Sequence, residues 1–534
     1  MGRALLPVAT CALVALAACS HASAPEHRDA ETGSAGSAGS AAPVARVSTW
    51  NTRRIDYIGP DACGECHAEE HARWSKSLHR VMNARAETAG AVIGDFNTKL
   101  AWDGGEVRFS REGGAYVMTL EKAGARVRYR VTRTIGHRGL QEYVGVEEPS
   151  GRVTAGPSGT GSSAARPAAR DLGREAHGED VRLPFGWWPA YGGWAPQIAF
   201  DPWLETFDAY RPVREPWAER CPWCHSTYPF EQRIARSQSL GVGHGLEQLV
   251  GSASGAGRER LDVDAQVTVG ISCESCHLGG RAHADGAAIQ FLPHGAASAG
   301  LPAAFDDQRK TAEVVNGVCA QCHSGPSPRL SDGTALRNSS EALDLAASPC
   351  TNIKCTDCHD PHRADARGDE ARAIAACVHC HQPLADAAGA RAHAGPGHAG
   401  VTCLDCHMPK IVLGIDRFVR THRISEPTNL ALYAEGAPNA CNTCHLDRST
   451  RWTLDALELH APAKAGIDLD APLGDLWLTS PSPALRVLAT WAYAASPLAR
   501  YVDLRRGLAD PVPYVRAWTK LALQHSFTKP SNPR

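Results

Sequence analysis

The residues of this 534-residue chain with the clearest chemistry are cysteines and histidines in one repeated pattern. Eight times, Cys-x-x-Cys is followed at once by His, and sixteen of the 19 cysteines lie in these motifs. The cysteine pairs are Cys63 and Cys66, Cys221 and Cys224, Cys273 and Cys276, Cys319 and Cys322, Cys355 and Cys358, Cys377 and Cys380, Cys403 and Cys406, and Cys441 and Cys444. The histidines that follow them are His67, His225, His277, His323, His359, His381, His407 and His445. Two thiols at this spacing can add to the two vinyl groups of one haem, and the adjacent histidine can ligate its iron.

Other proteins use Cys-x-x-Cys for zinc ribbons, redox dithiols or disulfides, but none of these needs a histidine beside the second cysteine. Histidine makes up only 24 of the 534 residues, so eight such neighbours do not arise by chance. The motifs therefore predict eight covalently attached c-type haems, with the motif histidines as proximal iron ligands.

The sixth ligand of each iron decides its chemistry. Beyond the apolar N-terminal segment the chain has only Met82, Met118 and Met408, too few for general His/Met ligation. Fourteen histidines remain besides the eight expected proximal ligands and the two in the N-terminal tether. We therefore expect mainly bis-histidine haems, which leave no iron position for a substrate.

The N-terminus predicts export and anchoring. Arg3 precedes an apolar run that ends at Leu16-Ala17-Ala18-Cys19, which is typical of a signal peptide over residues 1–18 and resembles a bacterial lipobox. We expect lipidation of Cys19 in the outer membrane and a flexible Gly/Ser/Ala-rich tether over residues 19–55. An ordinary cleaved signal and a short membrane anchor are the alternatives. The protein is then a periplasmic or cell-surface lipoprotein.

The elements that must position the motifs follow from periodicity and composition. Residues 56–150 predict a first haem helix, from Cys63 to about Glu87, and then a small antiparallel meander with alternating apolar residues. Residues 151–180 look like a flexible insertion, residues 181–450 hold seven haems, and residues 451–534 form a helical tail. The tail resembles a HEAT-type repeat, with plain helical packing against the haem region as the alternative.

Composition favours a mainly α fold with much irregular structure, built around stacked haems. Only 6% of the residues are aromatic, while 50 are Gly and 35 are Pro, so the macrocycles must supply apolar volume that side chains lack. We expect the tryptophans between Phe185 and Trp223 to pack on haem faces. Cys350 lies outside the motifs, and we expect it to be a buried thiol beside a haem, with a redox or iron-ligand role as the alternative. The net charge of −2 gives no reason to expect nucleic acid as a partner.

The motifs and their surroundings resemble the multihaem cytochromes that include ammonia-forming nitrite reductase, hydroxylamine oxidoreductase and its tetrahaem electron acceptor. They resemble more closely an uncharacterised octahaem branch with a HEAT-like tail. The resemblance covers roughly residues 57–450. The matching segments are YIGPDACGECHAEEHARWSKSLH, CHDPH, CLDCHMPK, and THRIS followed by PNACNTCHLD.

This resemblance implies distal ligands outside the motifs. They are His79, His283, His362, His393 and His422, with His137 and His244 as further candidates and His398 as a competitor of His393. The Cys-x-x-Cys-Lys motif common among the nitrite reductases is absent from the sequence, which disfavours that activity.

Two functions remain open. The first is an electron-transfer protein that exchanges electrons with donor and acceptor proteins outside the cytoplasm. The second is a multihaem oxidoreductase in which one open iron acts on a small nitrogen or sulfur compound. The C-terminal helices could also dock a partner, which is compatible with the first function.

Replacing Cys19 by Ala should release the protein from the membrane fraction, because no thiol remains at the position of the expected lipid. Cell fractionation and the intact mass of the mature N-terminus measure this. Cys11→Ala is the matched control and should leave anchoring unchanged, since Cys11 lies in the discarded segment. An unmodified mature N-terminus at any other residue would contradict the prediction.

Overall fold

The computed structural model describes residues 51–148, 179–199, 207–210, 216–232, 265–288, 311–350, 352–363 and 369–527. The expected signal peptide, most of the tether, nearly all of the predicted insertion and the candidate ligand His244 lie outside the described residues.

Short helices dominate the regions that carry the motifs. The helices of the described residues are Pro60–Gly64, Ala68–Trp74, Trp217–Arg220, Pro222–His225, Arg281–Ala284, Ala312–Ala320, Glu341–Ala346, Cys355–Cys358, Glu370–Cys380, Ala387–Ala394, Cys403–His407, Leu430–Glu435, Thr450–Ala456, Leu473–Leu478, Pro483–Ala494 and Pro513–Phe527. Most are one to three turns long, as expected of helices that depend on tertiary packing rather than on their own stability.

The first motif lies on two helices instead of the single predicted helix. Pro60–Gly64 and Ala68–Trp74 are followed by a loop and a strand, Asn83–Arg85. The helix ends after Trp74, whose indole N–H donates to the backbone carbonyl of Ile271 at 2.9 Å. Tertiary contacts of this kind override the helical period that the sequence shows up to Glu87.

An antiparallel sheet of seven strands follows this motif and is larger than the small meander that the sequence predicts. Its strands are β1 (Asn83–Arg85), β2 (Thr98–Trp102), β3 (Gly105–Glu112), β4 (Ala115–Lys122), β5 (Ala125–Ile135), β6 (Glu142–Glu148) and β7 (Asp180–Arg182). Strands β2 to β7 pair in chain order, and β1 pairs with β5. The tight turn between β3 and β4 uses Gly113 and Gly114 at φ +55° and +87°, where a side chain would strain the backbone.

One face of this sheet closes over an aromatic core. The rings of Phe109 and Trp194 stack with their centroids 3.6 Å apart, and Phe96 meets both of them edge-on. Trp194 belongs to one of three two-stranded sheets of the described residues, whose strands are Phe185–Trp188 with Gly193–Pro196, Ser226–Thr227 with Thr268–Val269, and Val412–Leu413 with Phe418–Val419. Trp194 therefore packs inside a side-chain core and not on a haem face, contrary to the sequence-based expectation.

The tail shares a second core with the body of the chain. Trp518 is 1% exposed, and its ring lies 5.5 Å from that of Trp188, 5.9 Å from that of Phe418 and 5.8 Å from that of Trp491. Trp188 and Phe418 belong to hairpins of the body, so the tail helices pack directly against it. Within the tail, a pair of hydrogen bonds from Arg486 to Asp510 joins the helix Pro483–Ala494 to the segment that leads into the helix Pro513–Phe527.

Within the part of the chain that the structure describes, no helix combines the length and the apolar character needed to cross a membrane.

Trp518→Ala should lower the free energy of unfolding by about 3–5 kcal/mol, the usual cost of truncating a buried tryptophan. Guanidinium unfolding followed by far-ultraviolet circular dichroism measures this change. The control is Leu508→Ala, which truncates a 43% exposed side chain of the same tail and should have little effect. Unchanged stability of the body in Trp518→Ala would show that the tail is an independent module.

Candidate haem sites

Each motif forms one helical turn. In six of them the histidine N–H donates to the carbonyl of the first cysteine at 2.8–3.0 Å, namely in the motifs that end at His67, His277, His323, His359, His381 and His445. The other two motif histidines end the helices Pro222–His225 and Cys403–His407. Positions i, i+3 and i+4 share one face of a helix, so both thiols and the imidazole of a motif face the same side. This geometry suits attachment of one macrocycle.

The thiols of the motifs differ in their exposure, although the sequence predicts the same covalent link at every one of them. Cys66, Cys380 and Cys444 are exposed in the polypeptide, whereas the other motif cysteines are partly buried. Each exposed thiol is the second of its motif. The haem link at Cys66 and at its two counterparts stays a prediction.

Five motif histidines lie opposite a second histidine ring, at centroid distances between 6.0 and 6.3 Å. The pairs are His67 with His283, His277 with His362, His359 with His422, His407 with His393, and His445 with His398. A metal–imidazole bond is about 2 Å long, so two rings that bind one ion from opposite sides have centroids about 6 Å apart. The five pairs therefore fit a six-coordinate haem iron.

The structure separates two histidines that compete in the sequence. His393 lies in the helix Ala387–Ala394 and faces His407, with an angle of 12° between the rings. His398 lies in the next turn and faces His445, with an angle of 78° between the rings. The resemblance treated His398 only as a competitor of His393 and gave it no motif histidine of its own. The sequence shows its position five residues after His393, but this spacing does not indicate which ring it faces.

His79 lies near the fourth motif. Burial, together with the neighbouring His323, lowers the pKa of His79 to about 4. Its backbone carbonyl accepts a hydrogen bond from Ile271 just before the third motif, which holds this segment between the two motifs.

The second and sixth motifs differ from the others. Among the described residues no histidine ring lies opposite His225 or His381 at a comparable distance. The candidate His137 lies in the loop between β5 and β6, where the structure records no ring contact for it, and His244 lies outside the described residues. The Trp217 ring lies 6.3 Å from that of His225, measured between centroids.

Charged residues of the sheet face the second motif. Burial lowers the pKa of His225, while the Glu142 carboxylate acts in the opposite direction and Arg182 adds to the lowering. Arg182 pairs with Glu142. Arg133 lies 3.5 Å from Asp180 and 5.7 Å from the centre of the Trp217 ring.

Hydrogen bonds at Nδ1 orient several of the paired rings. His407 bonds to the carbonyl of Ser425 at 2.9 Å, and His283 and His398 bond to the carbonyls of Ala287 and Ala394 at 2.8 Å. A bond at Nδ1 leaves Nε2 as the atom that binds a metal. The tautomer that each ring needs is thus set by the chain itself.

His323 has a carboxylate partner instead. Its Nδ1 lies 3.1 Å from Oε2 of Glu341. Desolvation disfavours the charged imidazole, but this bond, the negative charge of Glu341 and the nearby thiols of Cys322 and Cys355 together raise the pKa of His323 to about 9. Sequence reasoning missed Glu341, because nothing in the motif pattern points to a residue 18 positions further along.

Contacts between thiols order the motifs in space. A hydrogen bond to Cys273 raises the pKa of Cys63, which places the first motif beside the third. A hydrogen bond to Cys355 raises the pKa of Cys319, which places the fourth beside the fifth, and Cys276 of the third motif also acts on Cys319.

The later motifs continue this order in sequence. After burial, the main cause that raises the pKa of Cys358 to about 11 is Cys377, and Cys403 acts on Cys377 in the same way. Cys406 and Cys444 then link the seventh motif to the eighth. The resulting path runs through motifs one, three, four, five, six, seven and eight.

The second motif branches from this path. Sγ of Cys224 lies 3.9 Å from the backbone carbonyl of Cys322, so the second motif adjoins the fourth. Cys350 lies close enough to Cys377 to raise the pKa of the Cys377 thiol, which places Cys350 beside the sixth motif.

Comparison with known proteins agrees with haem attachment. Residues 392–461 match the family described as cytochrome c552, and this segment contains the last two motifs together with His393, His398 and His422. This match supports a multihaem c-type cytochrome. Among solved structures, the outer cell wall cytochrome OcwA matches over 88% of this chain and 100% of its own, with 16% identity and a TM-score of 0.40. No curated protein matches the chain.

His398→Ala should open one iron site, because the ring opposite His445 is lost. We expect one high-spin haem in the electron paramagnetic resonance spectrum and binding of one equivalent of carbon monoxide after reduction. The matched control is His379→Ala. This histidine lies inside the sixth motif and is exposed, so its substitution should leave the spin state of the haems and the binding of carbon monoxide unchanged. Eight low-spin haems in His398→Ala would contradict the pairing.

Proposed function

We propose that this chain is an octahaem c-type cytochrome that carries electrons outside the cytoplasm, mainly through bis-histidine haems. The observation that carries the proposal is the set of five histidine pairs at 6.0–6.3 Å, each of which joins a motif histidine to one from elsewhere in the chain. Rings held on both sides of an iron favour electron transfer over substrate binding, because both axial positions are taken.

The order of the motifs supports the same function. A protein that moves electrons along its length needs neighbouring carriers, and thiols of successive motifs on the path are close enough to perturb each other's pKa. The first and eighth motifs are the ends of the path, so we propose that donor and acceptor proteins approach these two ends.

The protein's part in this chemistry is to hold and tune the carrier. When bound, c-type haem supplies a one-electron redox centre. The motif cysteines attach it, the paired histidines ligate it, and the carbonyls of Ser425, Ala287 and Ala394 hold the imidazoles in one tautomer.

A second candidate function is an oxidoreductase with its open iron at the second motif. The observation that favours it is the charged sheet face of Arg133, Asp180, Arg182 and Glu142 beside His225. Charges that are partly shielded from solvent next to a redox centre could hold a small polar substrate. The position of the second motif as a branch also suits a terminal site, since electrons can arrive there from the fourth motif.

We further propose that the protein is tethered to the membrane through lipidated Cys19. The Gly/Ser/Ala-rich residues 19–55 would give the haem region reach from the membrane surface. The C-terminal helices could then dock a partner without carrying chemistry.

Counting reactive irons separates the two functions. The reduced full-length protein is titrated with carbon monoxide, and the oxidised protein is examined by electron paramagnetic resonance. The conduit predicts eight low-spin haems and no bound carbon monoxide, whereas one reactive equivalent would contradict the pure conduit and favour the oxidoreductase. His398→Ala should bind one equivalent of carbon monoxide more than the wild type, and this difference calibrates the titration.

A further inference from the structure

We propose that Glu341 is a positioning residue that lowers the reduction potential of the haem ligated by His323, so that this haem is the low-potential point of the path. The inference rests on the proposed function, since it requires a haem at the fourth motif with His323 as its ligand.

The hydrogen bond between the two side chains is the first observation. Oε2 of Glu341 lies 3.1 Å from Nδ1 of His323. If Nε2 binds the iron, Nδ1 must carry the proton and donate it to the carboxylate. Charge-assisted bonds of this kind are roughly twice as strong as those to a neutral carbonyl.

The second observation is that the chain holds the carboxylate in place. Oε1 of Glu341 accepts the backbone N–H of Ser339 at 2.8 Å, so both oxygens are engaged. Ser339 has φ +72°, a left-handed conformation that is costly for a residue with a side chain and is kept only where the surroundings enforce it. This turn directs the chain into the helix Glu341–Ala346.

Further hydrogen bonds dock that helix onto the fourth motif. The N–H of Ala342 donates to the carbonyl of His323 at 3.0 Å, and the hydroxyl of Ser340 donates to the carbonyl of Gly325. The N–H of Gly325 in turn donates to the carbonyl of Ser339. The carboxylate and the imidazole therefore belong to two segments that are fixed to each other on both sides.

A carboxylate in this position acts on the iron through the ring. It draws the Nδ1 proton, so the imidazole would become a stronger electron donor to a bound iron, and its negative charge would oppose the added electron. Both effects would favour the ferric over the ferrous state. Reduction adds one electron here and breaks no bond, so it is opposed by the charge of Glu341. His407, whose Nδ1 bonds to the neutral carbonyl of Ser425, lacks this charge at the corresponding atom.

The place of the fourth motif gives this effect a consequence. It adjoins the third motif through Cys276, the fifth through Cys355 and the second through Cys322. A low-potential haem at this junction divides the other carriers into three groups, which are motifs one and three, motif two, and motifs five to eight. Electrons would rest in these groups and cross between them only through the junction.

The experiment is a potentiometric titration of the full-length, haem-loaded Glu341→Gln protein, followed by optical and electron paramagnetic resonance spectroscopy. Gln keeps the shape of the side chain but removes its charge. One haem of eight should become easier to reduce by about tenfold or more, a shift of about 59 mV for a one-electron couple. A smaller shift is expected at the fifth motif, because Glu341 also acts on His422.

The control is Glu106→Gln, which removes the same charge from a sheet residue that pairs with Lys99 and Arg108. It should leave all eight potentials unchanged. No shift in Glu341→Gln, a downward shift, or equal shifts in both variants would overturn the inference. If the mass of the wild-type protein shows that no haem is attached at the fourth motif, the proposed function is contradicted instead.

Two further measurements test the inference if Glu341→Gln fails to fold. Glu341→Asp keeps the charge on a shorter side chain. The reduction potential of the haem at the fourth motif should therefore shift by less than the tenfold change expected for Glu341→Gln. In the wild-type protein, near-infrared magnetic circular dichroism should show one charge-transfer band displaced to higher energy from the other bis-histidine bands. A single unshifted set of bands would count against the inference.

Discussion

The placement of three side chains on a single helical turn is the constraint on which this protein depends. Positions i, i+3 and i+4 of each motif bring two thiols and an imidazole to one face, and the histidine N–H closes the turn on the carbonyl of the first cysteine. A turn of this size has little stability of its own, so it must be held by its neighbours. The short helices, the capping carboxylates of Asp357 and Asp405 and the contacts between motifs all serve that need.

The sequence predicts those parts of the site that are local. The motif residues follow from spacing alone, and the resemblance placed His283, His362, His393 and His422 among the distal candidates. The structure brings each of these four opposite a motif ring. The partner of each ring could not be derived, because it depends on how segments far apart in the chain pack together.

The same limit explains the differences in the fold. Alternation correctly indicated antiparallel strands after the first motif, but β1 and β7 are three-residue strands whose pairing comes from tertiary contacts. The helical period up to Glu87 was overruled where Trp74 and Asn83 bond to distant residues. Glu341 is invisible to pattern reasoning for a related reason: a glutamate 18 residues after a motif has no signature until the backbone at Ser339 turns it toward the ring.

Two aromatic cores hold the polypeptide together. One closes the sheet between the first and second motifs around Phe109 and Trp194, and the other joins the tail to the body around Trp518. Both are built from side chains, so both can assemble before any cofactor is attached. Three of the motif histidines, His67, His323 and His381, are exposed in the polypeptide. During maturation the chain would therefore present these three attachment sites at the surface of a scaffold that the two cores already hold, and the attachment machinery would meet preformed turns instead of a random coil.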